Sequence, residues 1–250
     1  MNNTLTLTKK EFKKVVEVIK YASKEEARPI LKAVHFAGNE VVALDGYRIA
    51  IRKLNTKLDV NCNIDAKDLK EIMKKLTKEI NNIIMIFHEN STTFLLIDEY
   101  NNNIYATNVS NVEGNYINYK SIIDVDTFKF NTVASIEFNI LHPIKDLISY
   151  LKKIDKKERL VKLYINEFLT IGQKTVNDDN LEIEWINNSC FYNECKGDLT
   201  IGVNHIYLKN MLENYKNDKE SKLLFTGSSS PIFMSNESGC DAVLPMRITH

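Results

Sequence analysis

The feature that most constrains this chain is that it resembles itself. Ile64-Asp65-Ala66-Lys67-Asp68-Leu69-Lys70-Glu71-Ile72-Met73 is matched 139 residues later by Val203-Asn204-His205-Ile206-Tyr207-Leu208-Lys209-Asn210-Met211-Leu212. Each segment opens on an apolar residue, then Asp or Asn as a helix N-cap, then apolar residues at helical spacing. At the same offset Ile84-Met85-Ile86-Phe87 matches Leu223-Leu224-Phe225, and Thr93-Phe94-Leu95 matches Ile232-Phe233-Met234. Two apolar runs joined by a polar turn read as a β-hairpin. At a shorter offset, Asn39-Glu40-Val41-Val42-Ala43 matches Asn166-Glu167-Phe168-Leu169-Thr170, and amphipathic helices span Lys13–Tyr21 and Pro143–Leu151. The change of offset puts an insertion near Val176–Lys196 of the second copy. Four matches in order are the mark of a duplicated unit. The fold class is therefore α+β: strand, helix, hairpin strands, second helix, hairpin strands, with two helices on one side of antiparallel sheet. The boundary falls between Ile117 and Asn131, giving units 1–123 and 124–250.

Composition narrows the function. The 250 residues carry 33 basic and 33 acidic side chains, which excludes attachment to nucleic acid by overall charge. A local basic surface is still open. The longest apolar run, Ile83–Phe87, is too short for a bilayer, and Met1-Asn2-Asn3-Thr4 lacks a signal-peptide opening, so a cytoplasmic protein is expected. Cys62, Cys190, Cys195 and Cys240 form no paired CxxC, as expected of free thiols in a reducing compartment. No GxGxxG, GxSxG or HExxH occurs. Gly197 and Gly202 have the gap of a phosphate loop, but Val203-Asn204 stand where Lys-Ser/Thr is needed. Asp124 and Asp126 lie in what reads as extended linker. Catalysis, a metal and a cofactor are not expected; a binding protein is.

The basic residues are unevenly placed. The four helical stretches 9–22, 65–79, 143–157 and 205–219 hold 18 bases against 10 acids. One reading is that lysine simply suits solvated helix faces. The other is that the helices turn toward a phosphate backbone, giving sequence-independent, salt-sensitive contacts. Few aromatics interleave with these lysines, so a base-stacking single-strand site is disfavoured.

Other segments point to one family. Ala27-Arg28-Pro29-Ile30-Leu31, followed by Val42-Ala43-Leu44-Asp45-Gly46-Tyr47-Arg48-Ile49-Ala50, resembles the middle domain of the bacterial sliding clamp, the β subunit of DNA polymerase III. Glu113-Gly114-Asn115-Tyr116 and Tyr119-Lys120-Ser121-Ile122-Ile123 are similar to that domain's exit. Ser230-Pro231-Ile232 and Val243-Leu244-Pro245-Met246-Arg247-Ile248 resemble the clamp's C-terminal elements. The resemblance implies tandem clamp units, six of which close a ring with helices lining the hole. It implies a processivity factor, not an enzyme, that holds duplex DNA non-specifically and topologically. The DNA-facing residues would be Lys9, Lys10, Lys13, Lys14, Lys20, Lys67, Lys70, Lys74, Lys145, Lys152, Lys153, Lys209 and Lys216.

The resemblance also implies a pocket for short linear peptides of a DNA polymerase and a clamp loader. Its residues here would be Leu31, Leu44, Gly46, Tyr47, Arg48, Ile49, Ala242, Leu244, Pro245, Met246 and Arg247, with Asn204, Tyr207 and Pro231 at the rim. An apolar cleft would take Leu and Phe anchors, and a few polar groups would fix register. Read alone, Leu31, Ile49, Leu244 and Met246 would be ordinary core positions. Leu44, Tyr47, Asp124 and Ala242 depart from the family's usual Thr, His, Pro and larger apolar residue. A form without the family's N-terminal domain is expected, for which a six-unit ring takes three chains, a homotrimer. The alternative is a non-encircling peptide-binding adaptor or decoy.

Overall fold

The computed structural model describes residues 3–59, 61–123, 132, 134–138, 141–165, 169–174, 181–187, 191–195, 197–218 and 220–248. Asp124, Asp126, Asn166, Glu167, Phe168, Cys190 and Lys219, which entered the sequence argument, lie outside the described residues. The chain divides into two compact units, Met1–Tyr119 and Lys120–His250.

The first unit opens with β1 (Thr4–Thr8), which runs straight into α1 (Lys9–Ile19). The helix starts there because Thr8 and Glu11 form a capping box, each side chain serving the other's backbone N–H. Phe12, Val15, Val18 and Ile19 recur at helical spacing and are buried. A 3-10 turn over Pro29–Lys32 leads to β2 (Ala33–Ala37), β3 (Glu40–Leu44), β4 (Arg48–Lys53) and β5 (Cys62–Asp65). Asp65 then caps α2 (Ala66–Lys74), accepting from Lys67 N–H at 2.7 Å. The unit closes with β6 (Asn82–Phe87), β7 (Ser91–Ile97) and β8 (Asn103–Ser110). These form two antiparallel sheets, in the orders β1-β6-β7-β8 and β4-β3-β2-β5. Leu5, Leu7, Ile83, Met85, Phe94 and Leu96 alternate inward along the first and meet α1 and α2 in one core.

The second unit repeats this order: β9 (Ala134–Phe138), α3 (Leu141–Leu151), β10 (Leu160–Ile165), β11 (Leu169–Lys174) and β12 (Leu181–Asn187). After β13 (Phe191–Cys195) come β14 (Leu199–Asn204), α4 (His205–Tyr215), β15 (Ser221–Phe225), β16 (Ile232–Asn236) and β17 (Gly239–Val243). Its four-stranded sheet has the order β12-β11-β10-β14, and β13-β9-β15-β16-β17 are successive neighbours in the other. Helices α2 and α4 start 139 residues apart, at Ala66 and His205. The sequence hairpins are present, with Ile84 opposite Leu95 and Leu224 opposite Phe233. The insertion reads out as β13, an extra strand on the side of β9 away from β15, with no counterpart among the first unit's described residues.

One expectation needs correction. The helices end earlier than the sequence suggests. Within them lie nine lysines, Lys9, Lys10, Lys13, Lys14, Lys67, Lys70, Lys74, Lys145 and Lys209, against six acids. Lys20, Lys75 and Lys216 are instead C-cap residues, and Lys152 and Lys153 follow α3. Cations gather there because helix C-termini carry partial negative charge.

Candidate functional site

The first unit's candidate residues are gathered by one tight turn. Leu44 and Ile49 face each other across β3 and β4, and both are buried. Between them Asp45 organises the chain: its Oδ1 accepts from the backbone N–H groups of Tyr47 and Arg48, each at 3.1 Å. Gly46 follows with φ +89, a left-handed conformation that only glycine takes without strain. A Cβ there would have room, its nearest neighbour being Arg28 at 3.9 Å, so conformation and not space demands the glycine. Leu31 sits in the Pro29–Lys32 turn, which contacts β3, and is also buried.

Arg48 is held from several sides. Its Nε donates to Asp45 Oδ2 at 2.8 Å. A terminal nitrogen donates to the Lys20 carbonyl at 2.7 Å, and the guanidinium carbon lies 5.0 Å from the Tyr21 ring centre. A planar cation thus closes the C-terminal end of α1 and fixes the β3–β4 turn to it. Tyr47 is left pointing outward, 58% exposed. The unit offers a turn with a buried apolar floor and one free aromatic ring.

The second unit's candidate residues come from three places. Asn204 is buried and caps α4, its Oδ1 accepting from Ile206 N–H at 3.0 Å. Tyr207, one turn on, packs half-buried on the core, and Pro231 precedes β16 half-buried. Ala242 is buried in β17 opposite Phe233. From there Leu244, 42% exposed, and Pro245, Met246 and Arg247 run on as a tail. Met246 bridges Gly202 of β14, its N–H donating to the Gly202 carbonyl at 2.8 Å. The approach is so close that a Cβ on Gly202 would lie 2.6 Å from the Met246 carbonyl oxygen. So Gly202, whose spacing from Gly197 is that of a phosphate loop, instead positions the tail. Sequence reasoning missed that role and those of Asp45, Lys20 and Tyr21. The Asp-Gly pair was the available signal for Asp45.

The thirteen lysines proposed to face DNA divide into two groups. Lys10, Lys13, Lys67, Lys70 and Lys145 are exposed on their helices, and Lys20, Lys152, Lys153 and Lys216 are exposed at helix ends. Others are occupied. Lys9 Nζ donates to the Thr77 carbonyl at 2.6 Å and Lys14 Nζ to the Lys53 carbonyl at 2.7 Å. Lys74 pairs with Glu71 at 2.6 Å, which lowers that carboxyl's pKa, and Lys209 is half-buried.

Nothing in these arrangements supplies a nucleophile with a base. Among the described residues no group of three His, Cys, Asp or Glu could hold a metal, and no helix is long and apolar enough to cross a membrane. Cys62 and Cys240 are buried thiols. The geometry suits binding.

Residues 6–116 match the family model of the DNA polymerase III beta subunit, central domain. The beta sliding clamp of Streptococcus pneumoniae is 27% identical over 226 residues, 86% of this chain; the chain spans 56% of that relative. Among solved structures, the DNA polymerase beta subunit of Streptococcus pyogenes aligns with TM-score 0.77 at 21% identity, over 99% of this chain and 67% of the other. The polymerase III beta subunit of Borrelia burgdorferi, solved with a natural product, aligns with TM-score 0.82 at 20% identity, over 98% and 64%. Duplicated topology and these likenesses agree: the chain has the fold of a sliding clamp, and its residues 6–116 are similar to the central domain of the DNA polymerase III beta subunit.

Proposed function

We propose that this chain is a processivity clamp: a non-enzymatic protein that surrounds duplex DNA and tethers a polymerase and a clamp loader, whose short peptides it captures. The observation that carries the reading is the central-domain match over residues 6–116, which contains the Asp45–Arg48 turn. The turn and the Leu244–Arg247 tail are each an exposed apolar residue on a fixed backbone, the chemistry a Leu- and Phe-bearing peptide needs. In this reading both belong to one cleft, units 1–123 and 124–250 correspond to the middle and C-terminal clamp domains, and three copies supply a six-unit ring. Exposed lysines on helices meet phosphates weakly, which allows sliding, and the protein works in the compartment that holds the DNA.

A second reading is favoured by one observation. Lys9 and Lys14 are tied to backbone carbonyls and Lys74 pairs with Glu71, leaving fewer uncommitted lysines than the sequence count implies. That suits a peptide-binding adaptor that does not encircle DNA. Retention on DNA separates the two. The protein, loaded onto a closed circular duplex with a loader, should stay bound through gel filtration and leave when the circle is cut once. Equal loss from circular and linear DNA, with peptide capture intact, would establish the adaptor.

A further inference from the structure

The first unit's four-stranded sheet has an outer face. Leu5, Leu7, Ile83, Met85, Phe94 and Leu96 turn inward to the core, so the residues between them turn outward. Across that outer face Thr6, Ile84, Leu95 and Ala106 stand opposite one another in a row, one from each strand. Thr6 and Ala106 are exposed, Ile84 and Leu95 are half-buried, and Ile104 beside the row is 47% exposed.

The duplication supplies a comparison. Ser135, Leu224, Phe233 and Ala242 form the same row across β9, β15, β16 and β17 of the second unit. They are 9%, 7%, 2% and 5% exposed. One row is covered and its twin is open. The twin also lacks the charges that keep an open sheet face in water. No residue of β1, β6, β7 or β8 is charged, in a chain that is 26% charged. The matching strands β9, β15 and β17 hold Glu137, Lys222 and Asp241. An open, contiguous, uncharged face of this kind marks a docking surface.

Size and charge select the occupant. Four strands about 4.8 Å apart, each five residues long at about 3.4 Å per residue, make a footprint of about 330 Å². With side-chain relief, two such faces bury about 800–1,000 Å² in total, short of the roughly 1,200 Å² at which stable interfaces begin. A partner bringing charge would bury it here unpaired, which is costly. A second copy of the same face brings none, and antiparallel sheets stack face to face about 10 Å apart.

We infer that this face is a self-docking surface: the outer faces of β1-β6-β7-β8 from two copies stack on each other, about a two-fold axis near Ile84 and Leu95. The contact is isologous, so through this face it closes at two chains. It is weak, and it fills only where the local concentration of the protein is high. It uses the face of the sheet and not its edges, and it does not depend on the clamp reading.

Sedimentation velocity on the intact chain, from about 10 µM to 1 mM, tests this. Leu95→Lys and Leu95→Glu each place like charges against each other across the axis. Either variant alone should need about tenfold more protein to associate. An equal mixture of the two places unlike charges together and should return to within about twofold of the unaltered chain. The methyl signals of Ile84 and Ile86 should move with concentration in the unaltered chain and hold still in either variant. Should the Leu95 variants fail to fold, Ala106→Lys and Ala106→Glu make the same cross at an exposed position of the row. Association of unaltered strength in both single variants would overturn the assignment to this face. Weakening in both with no recovery on mixing would show the face meeting a different surface of the second copy, which overturns the two-fold stack. No concentration dependence of the Ile84 and Ile86 signals up to about 1 mM would overturn the second copy as occupant and leave the face to another protein.

Discussion

Gly202 has no room for a side chain. A Cβ would meet the Met246 carbonyl oxygen at 2.6 Å, Ile248 Cγ1 at 2.9 Å and Leu160 Cδ1 at 3.0 Å. The first of these is backbone, so it yields only if the tail moves. Gly202→Ala should therefore push Leu244–Arg247 off β14 while leaving the core intact, at about 1–3 kcal/mol in stability. Capture of a labelled Leu- and Phe-bearing peptide, read by fluorescence anisotropy, should fall about tenfold or more. Met246→Asp should do the same by placing a charge among the apolar anchors. Capture unchanged in both variants would remove the tail from the pocket. Arg48 makes the opposite point. Its guanidinium is occupied by Asp45 and the Lys20 carbonyl. Truncating it acts first through the turn that presents Tyr47.

At the scale of elements, helix starts were legible in sequence and helix ends were not. Asp65 and Asn204 announce α2 and α4 because capping is local, a side chain reaching a backbone N–H two residues on. The ends come at Lys75 and Lys216, exposed residues unremarkable in sequence. The hairpins were legible because alternation has a period of two. β13 was not, because its pairing with β9 joins segments over fifty residues apart. The candidate site divides in the same way. Its turn could be read from Asp-Gly, but the ties from Arg48 to Lys20 and from Met246 to Gly202 are long-range. These element ends also decide which lysines test the DNA surface. Lys13 and Lys70 are exposed on α1 and α2, and Lys152 is exposed just beyond α3. Reversing those three to Glu should weaken direct DNA binding about tenfold or more and flatten its salt dependence. Peptide capture should not change. Retention and salt slope both matching the unaltered protein would refute the DNA-facing assignment. Lys9→Glu makes a poor probe, since it also breaks the tie to the Thr77 carbonyl.

The whole molecule carries equal numbers of acids and bases, so near neutral pH its stability turns on a few buried groups and not on net repulsion. Two are histidines, one in each unit. His35 donates its Nδ1–H to Asn63 Oδ1 at 2.7 Å, and its ring stacks on Tyr116 with centres 4.6 Å apart. Burial pushes its pKa below the usual imidazole value, partly opposed by the Asn63 hydrogen bond. His205, at the start of α4, is lowered for the same reason. About a unit or more above pH 6.5 both rings are neutral in folded and unfolded chains alike, and they cost nothing. As pH falls below that value the unfolded chain takes protons that the folded protein refuses. Stability must then decline toward the folded pKa, by at most about 1.4 kcal/mol per pH unit for each ring. Glu26, Glu71 and Asp98 have lowered pKa values, so they add losses only in the lower, carboxylate range. Asp68, raised by burial, works against them. Urea unfolding at pH 8.5, 7.5 and 5.5 should show stability nearly level over the first step and falling over the second. In His35→Phe, which keeps a ring against Tyr116, the fall should shrink by that residue's share while the His205 share persists. A fall of unchanged size would mean that His35 takes its proton as readily folded as unfolded, and that the stack on Tyr116 tolerates an imidazolium.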